Sequence, residues 1–237
     1  MKRIHADISE FRQPVYSNAG IYYVADEEDI RKGWACVFGP AGTPYADCPM
    51  LYEVQLPESY PFDPPKVHFR THDGYTRFHP NMYVDGKCCL SILGTWDGPR
   101  WSSALRLSAV FVTMQSLMTD NPIVHEPRYE AQTKEAGAPY ANVVESACIQ
   151  YILKNAEEFI TSGRLEGPLQ KFQEQWEEQL PQICARLQGR LRAVLQDKGE
   201  QCSFQHVPYA MDRTVSYRAM LERCEKLIDA LHKTPKH

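Results

Sequence analysis

Apolar positions in the first third of the chain fall in short runs: GIYYVA, GWACVF (Gly33–Phe38), MLYEVQL (Met50–Leu56) and KVHF (Lys66–Phe69). The runs are separated by turn formers: Asp26-Glu27-Glu28-Asp29, then Gly39-Pro40-Ala41-Gly42, then the stretch from Pro57 to Pro65. Four short strands joined in this way predict an antiparallel meander. Ahead of them, MKRIHADISEF predicts a short helix that ends before Pro14, because proline disfavours helical geometry in the residue it follows.

Beyond Trp101 the apolar period lengthens to that of helices. Ser102 to Met118 predicts a largely buried helix opened by a serine cap, with Leu105, Ala109, Val112 and Leu117 inward and Val110 and Met114 beside them. A second helix is expected from about Pro139 to Thr161, burying Val143, Ala147, Tyr151, Ala156 and Ile160. After Gly163 an amphipathic stripe runs through Leu169, Phe172, Trp176, Leu180, Ile183, Leu187, Leu191 and Val194. Pro181 is expected to kink or split it, and a last helix is expected over about Tyr217 to His232. Strands first and helices later indicate an α+β fold. The expectation is a four-stranded antiparallel meander with flanking helices over residues 1–162, followed by a helical C-terminal extension over 163–237.

Composition narrows the function classes. A formal charge of −4 on 237 residues argues against a duplex nucleic-acid binder, which usually shows a basic face. No run approaches the roughly 18 apolar residues of a membrane span, and the N-terminus has no apolar stretch of a secretory signal. The eight cysteines (Cys36, Cys48, Cys88, Cys89, Cys148, Cys184, Cys202, Cys224) form neither a C-x-x-C pair nor a Cys/His cluster at zinc spacing, so no metal site or other cofactor is expected. Reduced thiols in the cytosol or nucleus fit this usage, most of them packed as small hydrophobes.

Between Phe69 and Trp101 the periodicity lapses into a long stretch rich in Gly, Pro, Asn and Asp. Structureless loops beyond about 12–15 residues inside a compact domain are usually functional. Here His79-Pro80-Asn81 precedes the adjacent thiols Cys88 and Cys89, which chemistry alone does not separate.

His79-Pro80-Asn81, the Cys89-Leu90 pair eight residues after Asn81, the upstream Tyr-Pro-Phe-x-Pro-Pro-Lys-Val run and the downstream Trp101-Ser102 stand in one order. In that order and spacing the chain resembles the ubiquitin-conjugating (E2) family over about residues 1 to 160. The Gly94–Trp101 loop and the tail beyond residue 163 are similar to larger members of the family, not to its compact ones.

The resemblance implies a thioester-carrying acyltransferase with Cys89 as nucleophile and Cys88 in the inward, apolar position. It implies that Asn81 supports the oxyanion, directly or by bracing the loop above Cys89; a turn-forming Asn is the plain alternative. His79 is expected to stabilise the loop, not to move protons. Glu126, just before Pro127, occupies the place of the acidic residue that orients the attacking lysine, with Asp120 as fallback and Ile123 or Tyr83 as apolar neighbours. Trp101 is expected in the core, and Trp96 either over the site or packed inward.

Implied partners are ubiquitin or a ubiquitin-like modifier (a tandem one among the larger members), an activating enzyme, ubiquitin ligases and protein substrates. Lys2, Arg3 and Arg12 are the candidate contacts for the activating enzyme, and Phe62, with Ser102-Ser103-Ala104, for ligases. Two other readings stand beside this one. A non-catalytic binding module of the same fold would not need the cysteine, and a cysteine hydrolase would need a histidine placed to deprotonate the thiol. The thioester reading expects the Cys89 sulfur at the surface, beside a groove through which a flexible carboxy-terminal peptide can reach it.

Overall fold

The computed structural model describes residues 1–233. The helix α1 (Lys2–Glu10) and a short α2 (Pro14–Asn18) precede four strands: β1 (Ile21–Ala25), β2 (Lys32–Phe38), β3 (Pro49–Gln55) and β4 (Lys66–Phe69). These pair in chain order as an antiparallel sheet, with Tyr22 opposite Cys36, Val37 opposite Met50 and Val54 opposite Val67. The meander is as the apolar runs predict, with strand limits within one residue of them.

In a sheet covered on one side only, buried and exposed residues alternate. Ala35, Cys36, Val37 and Phe38 of β2 and Pro49 to Tyr52 of β3 are buried consecutively, so both faces are covered there. Helix α3 (Leu107–Leu117) packs on one face, and a 3₁₀ turn of the C-terminal extension, Gly167–Phe172, lies against β1, β2 and β3. Leu169, Phe172 and Trp176 are fully enclosed there, and Gln179 donates to the Tyr22 hydroxyl (2.9 Å).

The extension continues as α5 (Gln173–Lys198), β5 (Gln201–Phe204), β6 (Arg213–Ser216) and α6 (Tyr217–Lys233). It is therefore not purely helical: β5 and β6 form an antiparallel hairpin, with Cys202 opposite Val215. One apolar cluster runs without interruption from the sheet through α4 (Lys134–Ser162) into α5 and α6. Arg190 pairs with Glu145 (3.0 Å), Arg186 with Asp47 (2.7 Å) and Arg223 with Glu157 (2.7 Å) across that seam.

Three helix expectations need correction. First, α5 runs through Pro181 unbroken. A helix-interior proline costs about 3 kcal/mol. The helix buries Trp176, Leu180, Ile183, Leu187 and Leu191 on one stripe, each contributing about 1.5–3 kcal/mol, which outweighs that cost. Second, α4 begins at Lys134, five residues earlier than Pro139, because Thr133 caps it by accepting from the Ala136 amide.

Third, α3 begins at Leu107 and not at Ser102. The Arg3 guanidinium takes the carbonyls of Ser103 and Leu105, which a helix through Ser102 would need for its own bonds. The later start also shifts the buried face to Leu107, Val110, Phe111 and Met114, and leaves Val112 48% exposed where it was expected inward.

Candidate active site

The chain between β4 and α3 is irregular but heavily bonded. The Cys89 amide donates to the Asn81 carbonyl (2.8 Å), and the Asn81 side-chain amide returns a bond to the Cys89 carbonyl (2.7 Å). Met82 bridges Cys88, and Thr95 Oγ1 accepts from the Leu90 amide (2.9 Å) while donating to the Cys88 carbonyl. The two cysteines thus lie in an extended segment, where successive side chains point to opposite sides.

That alternation separates them. Cys88 belongs to the central hydrophobic cluster, and burial pushes its thiol up to about 12, so it stays protonated at neutral pH. Cys89 lies outside that cluster. It is nevertheless covered, with 2% of its surface exposed, so the expected open approach to its sulfur is not present in this conformation. Trp96, 46% exposed, stands at the surface beside Gly94, Thr95, Asp97 and Arg100, and is not packed inward. Trp101 is partly buried and donates its indole N–H to the Pro61 carbonyl (2.7 Å).

His79 is fully buried and has no free nitrogen. Its Nδ1 accepts from the Asn81 amide (3.0 Å), so Nε2 carries the proton and donates to the Leu117 carbonyl (3.0 Å). Burial, with His125 and Arg77 nearby, lowers its pKa to about 3. A neutral imidazole with both nitrogens committed does not act as a base toward a thiol, which removes the hydrolase dyad. The Asn81 amide nitrogen is spent on Cys89, and Asn81 Oδ1 is buried without a hydrogen-bond partner among the described residues. Asn81 in this conformation braces the loop.

Glu126 follows the 3₁₀ turn Pro122–His125. That turn rests on α4 because position 137 is glycine: a Cβ there would come within 2.0 Å of Asn121 Oδ1 and 3.0 Å of Ile123 Cγ2. Glu126 Oε2 accepts from the Tyr209 hydroxyl (2.5 Å) and lies 3.8 Å from the Arg77 guanidinium. Arg77 also donates to the Pro80 carbonyl, which links Glu126 to the His79-Pro80-Asn81 turn. The expected apolar neighbours are arranged otherwise. Ile123 is wholly enclosed, and Tyr83 is faced by the Arg77 guanidinium carbon, 3.7 Å from its ring centre. Asp120, the fallback, is tied to Lys134 (2.8 Å).

Arg77 and Tyr209, the two polar partners of Glu126, are residues that the sequence did not single out. Tyr209 lies 83 positions from Glu126, and no local pattern marks it.

Of the partner-contact candidates, Phe62 is 80% exposed, next to Pro61, whose carbonyl accepts from the Trp101 indole, and Ser102–Ala104 are exposed as well. Lys2 and Arg12 are exposed. Arg3 is half-buried and serves the fold: it pairs with the buried Asp7 (3.0 Å), which also accepts from Arg106 (2.8 Å) and the Tyr60 hydroxyl.

The family model "Ubiquitin-conjugating enzyme" matches residues 3–146. Ubiquitin-conjugating enzyme E2 Z of Xenopus tropicalis is 45% identical over 132 residues, covering 55% of this chain and 41% of that protein. Probable ubiquitin-conjugating enzyme protein 17 of Caenorhabditis elegans is 33% identical over 191 residues, covering 76% of this chain and 25% of that protein. The human dual E2 ubiquitin-conjugating enzyme/E3 ubiquitin-protein ligase BIRC6 is 40% identical over 126 residues, covering 49% of this chain and 2% of that protein. The chain thus spans well under half the length of these relatives. With the matched segment enclosing the sheet, the Asn81–Cys89 brace and Glu126, the chain belongs to the ubiquitin-conjugating enzyme family.

Proposed function

We propose that Cys89 accepts ubiquitin or a ubiquitin-like modifier from an activating enzyme as a thioester and passes it to a lysine amine or to a ligase. The observation that carries this reading is the reciprocal Asn81–Cys89 bonding, which fixes Cys89 outside the hydrophobic cluster while Cys88 is drawn into it.

In the first step the Cys89 sulfur attacks the thioester carbonyl on the activating enzyme. A new S–C bond forms, the old one breaks, and the departing thiolate takes up the proton that Cys89 gave up. The exchange is nearly balanced in energy, so no strongly activated base is needed. In the second step a neutral lysine nitrogen attacks the same carbonyl, the C–N bond forms and the C–S bond breaks; the nitrogen sheds one proton to Glu126, and the released Cys89 thiolate is reprotonated. Lysine has a free pKa of about 10.4, so well under 1% is neutral at pH 7. A carboxylate alone would raise that value further. Glu126 is therefore assigned to holding the lysine in line and accepting its proton during attack.

Exposed Phe62 and Ser102–Ala104 form the proposed ligase surface, and Lys2 and Arg12 the proposed contacts to the activating enzyme. Cytosol or nucleus is the proposed setting, where the thiols remain reduced.

The test is incubation with activating enzyme, ATP and ubiquitin. The wild-type adduct should dissolve in reducing agent. The Cys89→Ser variant should give an adduct that survives it, because an oxygen ester is not cleaved by thiols. No adduct on either protein would refute the reading in favour of a binding module.

A further inference from the structure

The C-terminal extension reaches the catalytic face. The loop joining β5 to β6 lies on Asp73–Arg77, the segment that leads into His79-Pro80-Asn81. Arg213 donates to Thr76 Oγ1 (3.0 Å), the Tyr75 hydroxyl donates to the Ala210 carbonyl (2.9 Å), and the Arg77 amide donates to the Met211 sulfur (3.0 Å).

Within this loop Tyr209 and Ala210 have φ of 63° and 56°, a left-handed backbone that L residues rarely adopt. The Tyr209 side chain is held on several sides. Its ring centre lies 4.3 Å from the Arg77 guanidinium carbon, which faces Tyr83 as well, and its edge meets Tyr140 at 5.8 Å and 70°. Burial and the bond to Glu126 push the Tyr209 phenol upward, so it remains a protonated donor. Both polar contacts to Glu126 converge on Oε2; among the described residues Oε1 makes no hydrogen bond.

We infer that Tyr209 is a positioning residue for amine transfer: with Arg77 it fixes Glu126 Oε2 and leaves Oε1 as the oxygen that meets the incoming lysine. The extension thereby completes the discharge site. This rests on the role given to Glu126 above.

The experiment follows discharge of a preloaded thioester to free lysine, using the full chain. The variants are Tyr209→Phe, Tyr209→Ala, Glu126→Gln and the double Tyr209→Phe/Glu126→Gln. Tyr209→Phe, which keeps the ring, should recover the melting temperature lost in Tyr209→Ala. It should still discharge about tenfold more slowly than wild type, with a much smaller effect on loading. Added to Glu126→Gln, it should change discharge by less than about twofold, since the two act as one unit. Wild-type discharge by Tyr209→Phe, or multiplying effects in the double variant, would overturn the inference while leaving a slow Glu126→Gln intact. Normal discharge by Glu126→Gln would instead refute the role of Glu126, and this inference with it.

Discussion

The side-chain amide of Asn81 and the backbone carbonyl of Cys89 are joined at 2.7 Å, while the Cys89 amide bonds back to the Asn81 carbonyl at 2.8 Å. Cys89 and the asparagine eight residues before it therefore hold each other's backbone in place. An amide spent in this way is part of the fold, whatever it adds to the proposed chemistry.

Asn81→Ala should accordingly lower stability by about 1 kcal/mol, the net value of a buried hydrogen bond, and slow both loading and discharge. Chemical denaturation of the two proteins checks the first part. An unchanged midpoint alongside slow discharge would mean that Asn81 acts on the oxyanion alone.

Arg3 and Lys2 should part company. Arg3→Ala leaves Asp7 with only Arg106 and Tyr60, and frees the carbonyls of Ser103 and Leu105. It should cost about 1–2 kcal/mol of stability. Lys2→Ala and Arg12→Ala, both at exposed positions, should melt as wild type and load more slowly from the activating enzyme. Equal melting temperatures for all three would contradict the internal role of Arg3.

His79 gives the protein a pH-dependent stability. Its folded pKa of about 3 lies below the ordinary histidine value near 6.5, because burial disfavours the imidazolium. Between those values the unfolded chain takes up a proton that the folded chain refuses. Its contribution is thus complete above about pH 6.5 and is lost progressively as pH falls toward 3. His79→Gln should be less stable at pH 7 but show a shallower decline from pH 6.5 to 4. Parallel curves for variant and wild type would exclude His79 as the source.

The sheet was legible because its strands alternate with unambiguous turn formers, although the register of its pairs was read only from the structure. The helix limits were less so, since they depend on distant partners. The start of α3 is decided by Arg3, some 100 positions away, through the Ser103 and Leu105 carbonyls. The hairpin in the extension escaped notice because QCSF and RTVS are too short and too polar to stand out from the helical stripes on either side. In the site, the ordered spacing of His79, Asn81 and Cys89 marked the pair that the structure joins by reciprocal hydrogen bonds, Asn81 and Cys89. Arg77 and Tyr209 were hidden because a guanidinium held between two rings leaves no trace in local spacing.

Pro181 offers a separate check on the helix that the stripe overrode. Pro181→Ala restores a missing amide donor at an exposed position inside α5, and should raise the melting temperature. A lower melting temperature would show that the proline is accommodated by packing that alanine fails to fill.

The central claim is that Cys89, and not its neighbour, carries the modifier. Intact-mass measurement after charging with activating enzyme, ATP and ubiquitin should show one thiol-labile adduct on Cys88→Ala and none on Cys89→Ala. An adduct retained by Cys89→Ala and lost in Cys88→Ala would contradict it.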